Sequence, residues 1–258
     1  MTENHLLERA SLRQSFDQAA VTYDGAASLQ RRAAKRLLVK LNSSATPDEV
    51  LDLGCGTGHA ACLLAQQFPA ARLVFADLAF AMAREAAHSG PAVCADAQAL
   101  PFRRGCIDLL WSNLMLQWCN DLALVFAQFE AVLRSGATLA FSTFGPATLQ
   151  ELRKSFDDAY THVNRFIAAD VIEAQLEAAG FCDIQLETQR HVVHYPEVLS
   201  LMRELKSLGA SNATRGRARG LTGRKAWQRM LSRYGNLRQA EGLPATYELI
   251  YATAAKGR

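Results

Sequence analysis

The run Glu49-Val50-Leu51-Asp52-Leu53-Gly54-Cys55-Gly56-Thr57-Gly58 carries an apolar strand straight into three glycines at alternate positions. Glycine supplies the turn and lacks the Cβ that would block close approach of a ligand to the backbone. A helix starting near Gly58 aims its unpaired N–H groups at whatever sits there. The pattern predicts a nucleotide-type pocket beyond the end of a strand; the alternative is that the glycines serve only a tight strand–helix turn.

Flanking acids narrow the ligand. A dinucleotide site uses G-x-G-x-x-G, which lays a pyrophosphate on a helix N-terminus; here the spacing is G-x-G-x-G. Asp52, two residues before Gly54, would repel a pyrophosphate and attract an amino acid's ammonium group, which suits S-adenosyl-L-methionine. Asp77 closes the apolar run Leu73-Val74-Phe75-Ala76, where a carboxylate accepts both hydroxyls of a ribose, and Leu78 follows it. Asp96-Ala97 comes after a third strand-like run, so a carboxylate and the next backbone amide can bond an adenine amino group and ring nitrogen. Ser112-Asn113-Leu114-Met115-Leu116-Gln117-Trp118 follows the fourth and places Asn113 and Trp118 over the reacting end of the cofactor. Trp118 either fills core or offers its ring to a sulfonium. The glycines enter the cofactor set as Gly54, Gly56 and Gly58.

Strand and helix signals alternate along the middle of the chain, as a doubly wound α/β sheet requires. Apolar runs at Glu49 to Leu53, Leu73 to Asp77, Ala92 to Cys94, Ile107 to Ser112, Thr138 to Thr143, Ile184 to Arg190 and Tyr247 to Ala252 predict seven strands. Between them, Gly58 to Phe68, Ala79 to His88, Asp121 to Arg134, Pro146 to Tyr160 and Asp170 to Ala179 predict helices, the last stopped by Gly180. Ligands in such sheets bind beyond the C-terminal strand ends, where every motif above falls.

With 258 residues, half of them apolar, the chain can bury one substantial core. No apolar run approaches the ~20 residues of a membrane span, and the start, with Glu3 and Glu8, lacks the basic and apolar regions of a signal peptide. A soluble, cytoplasmic protein is expected. The six cysteines form no C-x-x-C pair, so reduced, buried thiols are expected, with neither a disulfide framework nor a zinc site. His191 and His194, three apart on a strand, would face opposite sides of the sheet and do not make a metal pair.

Two segments fall outside the predicted core of 46–194 and 242–258. Residues 1–45 hold two helical patterns broken at Tyr23-Asp24-Gly25 and read as an N-terminal helical lid. Residues 195–241 form a helical insertion before the last strand, with lopsided charge. From 203 to 238 ten cations face only Glu204, a net of +9, whereas the whole chain carries +3, so the remainder is −6. Such a face is either a solvated helix surface or a docking site for an acidic macromolecule.

Over nearly its full length the chain resembles the malonyl-(acyl-carrier protein) O-methyltransferases of biotin synthesis, the BioC family. The resemblance is carried by Ser15-Phe16-Asp17, Tyr23-Asp24 and Leu29-Gln30-Arg31, by Asp52 to Gly58, and by Ser112-Asn113 with Gln117-Trp118. Phe141-Ser142-Thr143 with Gly145-Pro146, Leu205-Lys206 with Gly209-Ala210, Leu221 to Arg224 and Pro244 to Glu248 extend it. The chain departs at Arg134-Ser135-Gly136-Ala137, where Lys-Pro-Gly-Gly is more usual, and at Ala147, commonly Gly. The resemblance implies a Rossmann-like class I methyltransferase fold with a mostly parallel seven-stranded sheet and helices on both faces. It also implies methyl transfer from S-adenosyl-L-methionine to the free carboxylate of a malonyl thioester. A carboxylate is already ionised at neutral pH and needs no general base; it needs desolvation and in-line placement.

Arg203 and Lys206 are then the expected partners of the malonyl carboxylate, and Tyr23 and Gln30 are expected to close over the cofactor. The basic insertion, through Arg215, Arg217, Arg219, Arg224 and Lys225, is expected to dock an acyl carrier protein bearing malonyl-phosphopantetheine; malonyl-coenzyme A is the other candidate acceptor. Neither nucleic acid nor membrane is expected as a partner. The rivals are a methyltransferase of another small molecule, a nucleic-acid-binding protein using the basic insertion, and, with its glycine spacing wrong, a dehydrogenase.

Overall fold

The computed structural model describes residues 6–41, 46–157, 163–210 and 223–257. Its centre is a seven-stranded sheet of order β3-β2-β1-β4-β5-β7-β6. The strands are β1 Glu49–Leu53, β2 Arg72–Asp77, β3 Ala92–Cys94, β4 Ile107–Asn113, β5 Leu133–Phe144, β6 Phe181–Tyr195 and β7 Leu243–Lys256. The pairs from β3 through β5 are parallel, and β7 runs antiparallel between β5 and β6. All seven predicted strands are present in the predicted, mostly parallel arrangement. The last two are longer than their apolar runs, because thirteen residues of β6 find partners along β7 and backbone pairing carries the polar alternate residues with it.

Helices cover both faces. α1 Arg9–Ala19 and α2 Tyr23–Ala26 border a cavity beyond the C-terminal strand ends, and α3 Ser28–Lys40 and α4 Ala61–Gln67 share one core cluster on one side of the sheet. α3 buries Leu29, Gln30, Ala33, Ala34 and Leu37, the i, i+1, i+4, i+5, i+8 face that packs on β4, β5 and β7. α5 Phe80–Ala86 packs on β2 and β3 and meets α1. On the other side α6 Leu122–Val132 buries Leu122, Val125, Phe126, Phe129 and Val132. Its N-terminus is capped by Asp121, whose carboxylate accepts the Leu124 N–H at 3.0 Å. α8 Ala169–Ala178 adds Ile172 and Leu176 to that core.

The expected break at Tyr23-Asp24-Gly25 is itself a helical turn, α2; the chain bends on either side of it, at residues 20–22 and at Ala27. The predicted helix from Pro146 is shorter. α7 is Gln150–Ser155, because Gly145, Ala147 and Leu149 give their N–H groups to Glu248 and Thr246 of β7 instead of to a helix; Tyr160 lies outside the described residues. After β6 come α9 Val198–Ser207 and α10 Arg224–Gly235.

The thiols differ from expectation. All six are free, but only Cys55 is buried; Cys62, Cys94 and Cys182 are exposed and Cys106 and Cys119 half-buried. Cys94 and Cys182 lie on the two edge strands, which have solvent on one side.

Candidate active site

A cavity opens beyond the C-terminal ends of β1, β2, β4 and β5, and the glycine turn forms its floor. Gly54 and Cys55 both donate to the Ala76 carbonyl, at 2.7 and 3.1 Å, which stitches the turn to the neighbouring strand. Gly54 and Gly56 adopt φ of +72° and +56°, the left-handed region that favours glycine. A Cβ on Gly54 would lie 2.3 Å from the Met115 side chain, and one on Gly56 would lie 3.3 Å from the Tyr23 ring. Both positions therefore require glycine for space as well as φ, and the groups that approach the backbone there are the protein's own Met115 and Tyr23. Gly58 differs from its expected role. Its missing Cβ makes room for Ala86 of α5, 3.2 Å away, so Gly58 packs helix against turn and does not border the cavity. The helix after the turn also starts later, at Ala61.

Asp52, at the end of β1, is 2% exposed and its Oδ2 is buried without a partner. Burial first, and then the neighbouring Asp77 charge, pushes its carboxyl up to about 8. Asp77 accepts the Gly56 N–H on Oδ2 and the Ala79 N–H on Oδ1, both at 2.9 Å. Burial raises it to about 6, against the lowering effect of those hydrogen bonds. Burial, followed by the Asp77 and Asp24 charges, holds the Tyr23 phenol above its ordinary range. Asp77 borders the cavity and Asp52 lies buried behind its lining, two crowded acids that lack a cation. The ammonium group of an amino-acid-bearing nucleoside fits that lack, so the residues present suit S-adenosylmethionine.

Leu78, Asp96, Ala97, Asn113, Trp118 and Gln30 all border the cavity. Some hold partners the sequence did not disclose. Asp96 is ion-paired to Arg9 of α1 and also accepts the Gln98 N–H at 2.8 Å. Asn113 is a clamp: its Nδ2 donates to the Gln30 carbonyl at 3.0 Å and its Oδ1 accepts from Ser142 at 2.7 Å. It ties α3 to β4 and β5, while the Gln30 side-chain Oε1 stays buried and unpartnered at the cavity wall. Trp118 packs edge-on against Phe16 of α1, ring centroids 5.3 Å apart.

The roof comes from two distant parts of the chain. α9 presents Glu204, Leu205 and Leu208 to the cavity and buries Leu201. Arg203 and Lys206, expected at the acceptor carboxylate, stand on the opposite, exposed face of the helix, because a period of 3.6 residues turns positions 203 and 206 away when 201, 205 and 208 point in. Arg203 is ion-paired to Glu197 at 3.4 Å in solvent. Where α9 ends, Gly209, at φ +69°, sits against α1; a Cβ there would lie 3.0 Å from both the Phe16 ring and the Ser15 carbonyl. The Thr22 hydroxyl donates to the Ser207 carbonyl at 2.9 Å beside it. The Leu205 to Ala210 motif thus joins the end of α9 to α1 and the turn that follows it.

Of the expected docking residues, Arg224 and Lys225 are exposed at the start of α10, and Arg215, Arg217 and Arg219 lie outside the described residues. Farther along α10, Arg229 and Arg233 share Asp157, at 3.2 and 3.1 Å.

Several cavity residues escaped the sequence reading: Arg9, Thr148, Asn164, Glu204 and Tyr247. Helical spacing with Leu201, Leu205 and Leu208 could have flagged Glu204. Asn164 has no periodic context. Tyr195 of β6 donates its hydroxyl to Glu204 Oε1 at 3.0 Å and lies 3.4 Å from the Tyr247 hydroxyl, which joins the sheet to α9.

A family model described as a methyltransferase domain matches residues 51–141. The chain is 44% identical to a malonyl-(acyl-carrier protein) O-methyltransferase of Laribacter hongkongensis, over 98% of this chain and 91% of that one. It is 42% identical to another so named from a Methylovorus species, over 98% and 90%. Among solved structures, the YcgJ protein of Bacillus subtilis superposes with a TM-score of 0.64 at 12% identity, covering 88% of this chain and 99% of that one, which shows a shared fold.

Proposed function

The chain belongs to the malonyl-(acyl-carrier protein) O-methyltransferases, and from that premise we propose that it esterifies the free carboxylate of a malonyl thioester held on an acyl carrier protein. S-adenosylmethionine supplies an electrophilic methyl group on a sulfonium. The observation that carries the reading is the unpartnered buried Asp52 at a glycine turn covered by Tyr23, beside a cavity whose apolar lining includes Phe144, Leu149, Leu152 and Leu205.

The protein's part in the reaction is placement. Asp52 takes the ammonium end of the donor, Asp77 its ribose hydroxyls, and Tyr23 and Trp118 exclude water. The apolar lining strips the acceptor carboxylate of hydration, which raises its nucleophilicity and removes competing water. No group has to take a proton, because the acceptor arrives ionised.

Arg203 and Lys206, being on the outer face of α9, are assigned to the encounter with an acidic carrier and not to the chemistry. Arg224 and Lys225, at the start of α10, are exposed as well. A nucleic acid is a poorer partner: Tyr234 of α10 is buried and Trp227 packs against the core, which leaves no aromatic platform for bases on that helix. Among the described residues no helix is long and apolar enough to cross a membrane; the enzyme is assigned to the cytoplasm. Its product, a malonyl methyl ester, hides a charge that apolar chain-elongating pockets reject, which is its use in building the pimeloyl chain of biotin.

The test is incubation with labelled S-adenosylmethionine and malonyl, succinyl and acetyl thioesters, with mass analysis of the acceptor. Malonyl should be methylated. Methylation of acetyl thioester, which has no free carboxylate, would refute the reading.

A further inference from the structure

We propose that the acceptor carboxylate is held by two neutral hydrogen-bond donors, Asn164 and Tyr247, and not by a cation of the protein; this rests on the function proposed above. Asn164 lies between α7 and α8, 7% exposed, and borders the cavity near Phe144 and Phe166. Its Oδ1 is buried and has no partner. A buried carboxamide end without a partner is costly unless a ligand supplies one, and rotation of the amide presents either its oxygen or its N–H2 group to the same place.

Neighbouring polar groups are already committed. Gln117 donates to the Leu114 carbonyl and accepts from Thr143, at 2.5 and 3.1 Å. Thr148 exchanges hydrogen bonds with the backbone of Glu248. Tyr247 is different. Tyr195 spends its one hydroxyl proton on Glu204, so the Tyr247 proton is held only by the long 3.4 Å contact and is free to turn to a ligand. Among the described residues the only cationic side chain at the cavity is Arg9, and Asp96 already holds it.

Neutral donors suit this reaction. Methyl transfer turns a carboxylate into an uncharged ester, so negative charge fades as the transition state forms. A fixed cation would hold the ground state more strongly than the transition state and slow the step. Two neutral donors orient the nucleophile and give up less as its charge falls.

The test uses the full-length enzyme with Asn164→Asp and Tyr247→Phe. Affinities are measured for malonyl-coenzyme A, for its methyl ester and for S-adenosylhomocysteine, together with kcat, KM and Tm. Asn164→Asp should weaken malonyl-coenzyme A binding about tenfold or more, as expected for a hydrogen bond to a charged group replaced by like charge. Binding of the ester and of S-adenosylhomocysteine should stay within about twofold, and Tyr247→Phe should raise KM severalfold. Unchanged KM in both variants would overturn the proposal, as would an equal loss for acid and ester or a loss of S-adenosylhomocysteine binding, which would mark a structural role. Failure of the wild-type enzyme to methylate any malonyl thioester would instead refute the function itself.

Discussion

Replacing Asp52 with Asn should make the protein more stable and unable to hold its methyl donor. In the folded chain the Asp52 carboxyl is raised from 3.8 to about 8 by burial and by Asp77. The folded state therefore keeps a proton that the unfolded chain gives up, and stability that is complete below pH 3.8 is lost progressively as pH rises toward 8. Between 3.8 and 7 the loss is about 4 kcal/mol at 1.36 kcal/mol per unit. A carboxamide does not ionise, so the Asp52→Asn protein should regain an amount of that order at pH 7 and lose the pH dependence. The same proton should appear in ligand binding. At pH 7 roughly ten Asp52 carboxyls are protonated for each one ionised. An ammonium group requires the ionised form, so binding S-adenosylhomocysteine should release close to one proton, with affinity rising nearly tenfold per pH unit below pH 8. Asp77, at about 6, is mostly ionised at pH 7 and adds little. Calorimetric titration in two buffers of different ionisation enthalpy measures the proton directly. Heats independent of buffer, or affinity flat from pH 6 to 8, would refute the assignment of Asp52 as the partner of the ammonium group.

Other substitutions probe the roof and the exterior. Gly209→Val places a β-branched residue at φ +69° with its Cβ 3.0 Å from Phe16 and Ser15, and should cost about 3 kcal/mol or more; a lowered Tm with faster proteolysis of the N-terminal helices is the expected readout. Arg203→Ala and Lys206→Ala should leave kcat/KM for malonyl-coenzyme A within about twofold, as for exposed positions away from a site; a hundredfold loss would return them to the chemistry. Raising salt should slow methylation of the carrier-bound malonyl group far more than of malonyl-coenzyme A, because screening acts on the encounter of extended charged surfaces. Equal sensitivity would contradict docking through exposed basic residues.

Much of the fold and the donor end of the site can be read from the chain, because they rest on local rules. Val50, Leu51 and Leu53 are apolar residues on a strand covered on both faces, and Gly54 and Gly56 have to be glycine for reasons of φ and space. Helix orientation was harder. The charges at Arg203 and Lys206 pointed to an anion, but the side that faces inward is set by Leu201, Leu205 and Leu208 together. Asn164 could not be read at all: the role proposed for it depends on Tyr247, 83 positions away, lining the same cavity once β7 has paired. Gly58 shares the left-handed φ of its two neighbours, at +85°, but the space its missing Cβ leaves is taken by Ala86 of α5 and not by the cavity.

The position of β7 between β5 and β6 has a consequence for how the protein is made. Among the described residues β6 pairs with β7 and with no other strand, so residues 181–195 have no place in the sheet until residues 243–256 have been synthesised. During that interval a fifteen-residue segment with alternating apolar side chains is without its partner, and Tyr195 and Tyr247 are not yet together. Edges of this kind are where nascent chains aggregate or recruit chaperones. Closure of the sheet and completion of the acceptor wall are then one event, late in the life of the nascent chain, and a polypeptide arrested before residue 243 would carry an assembled glycine turn with no finished chamber beside it.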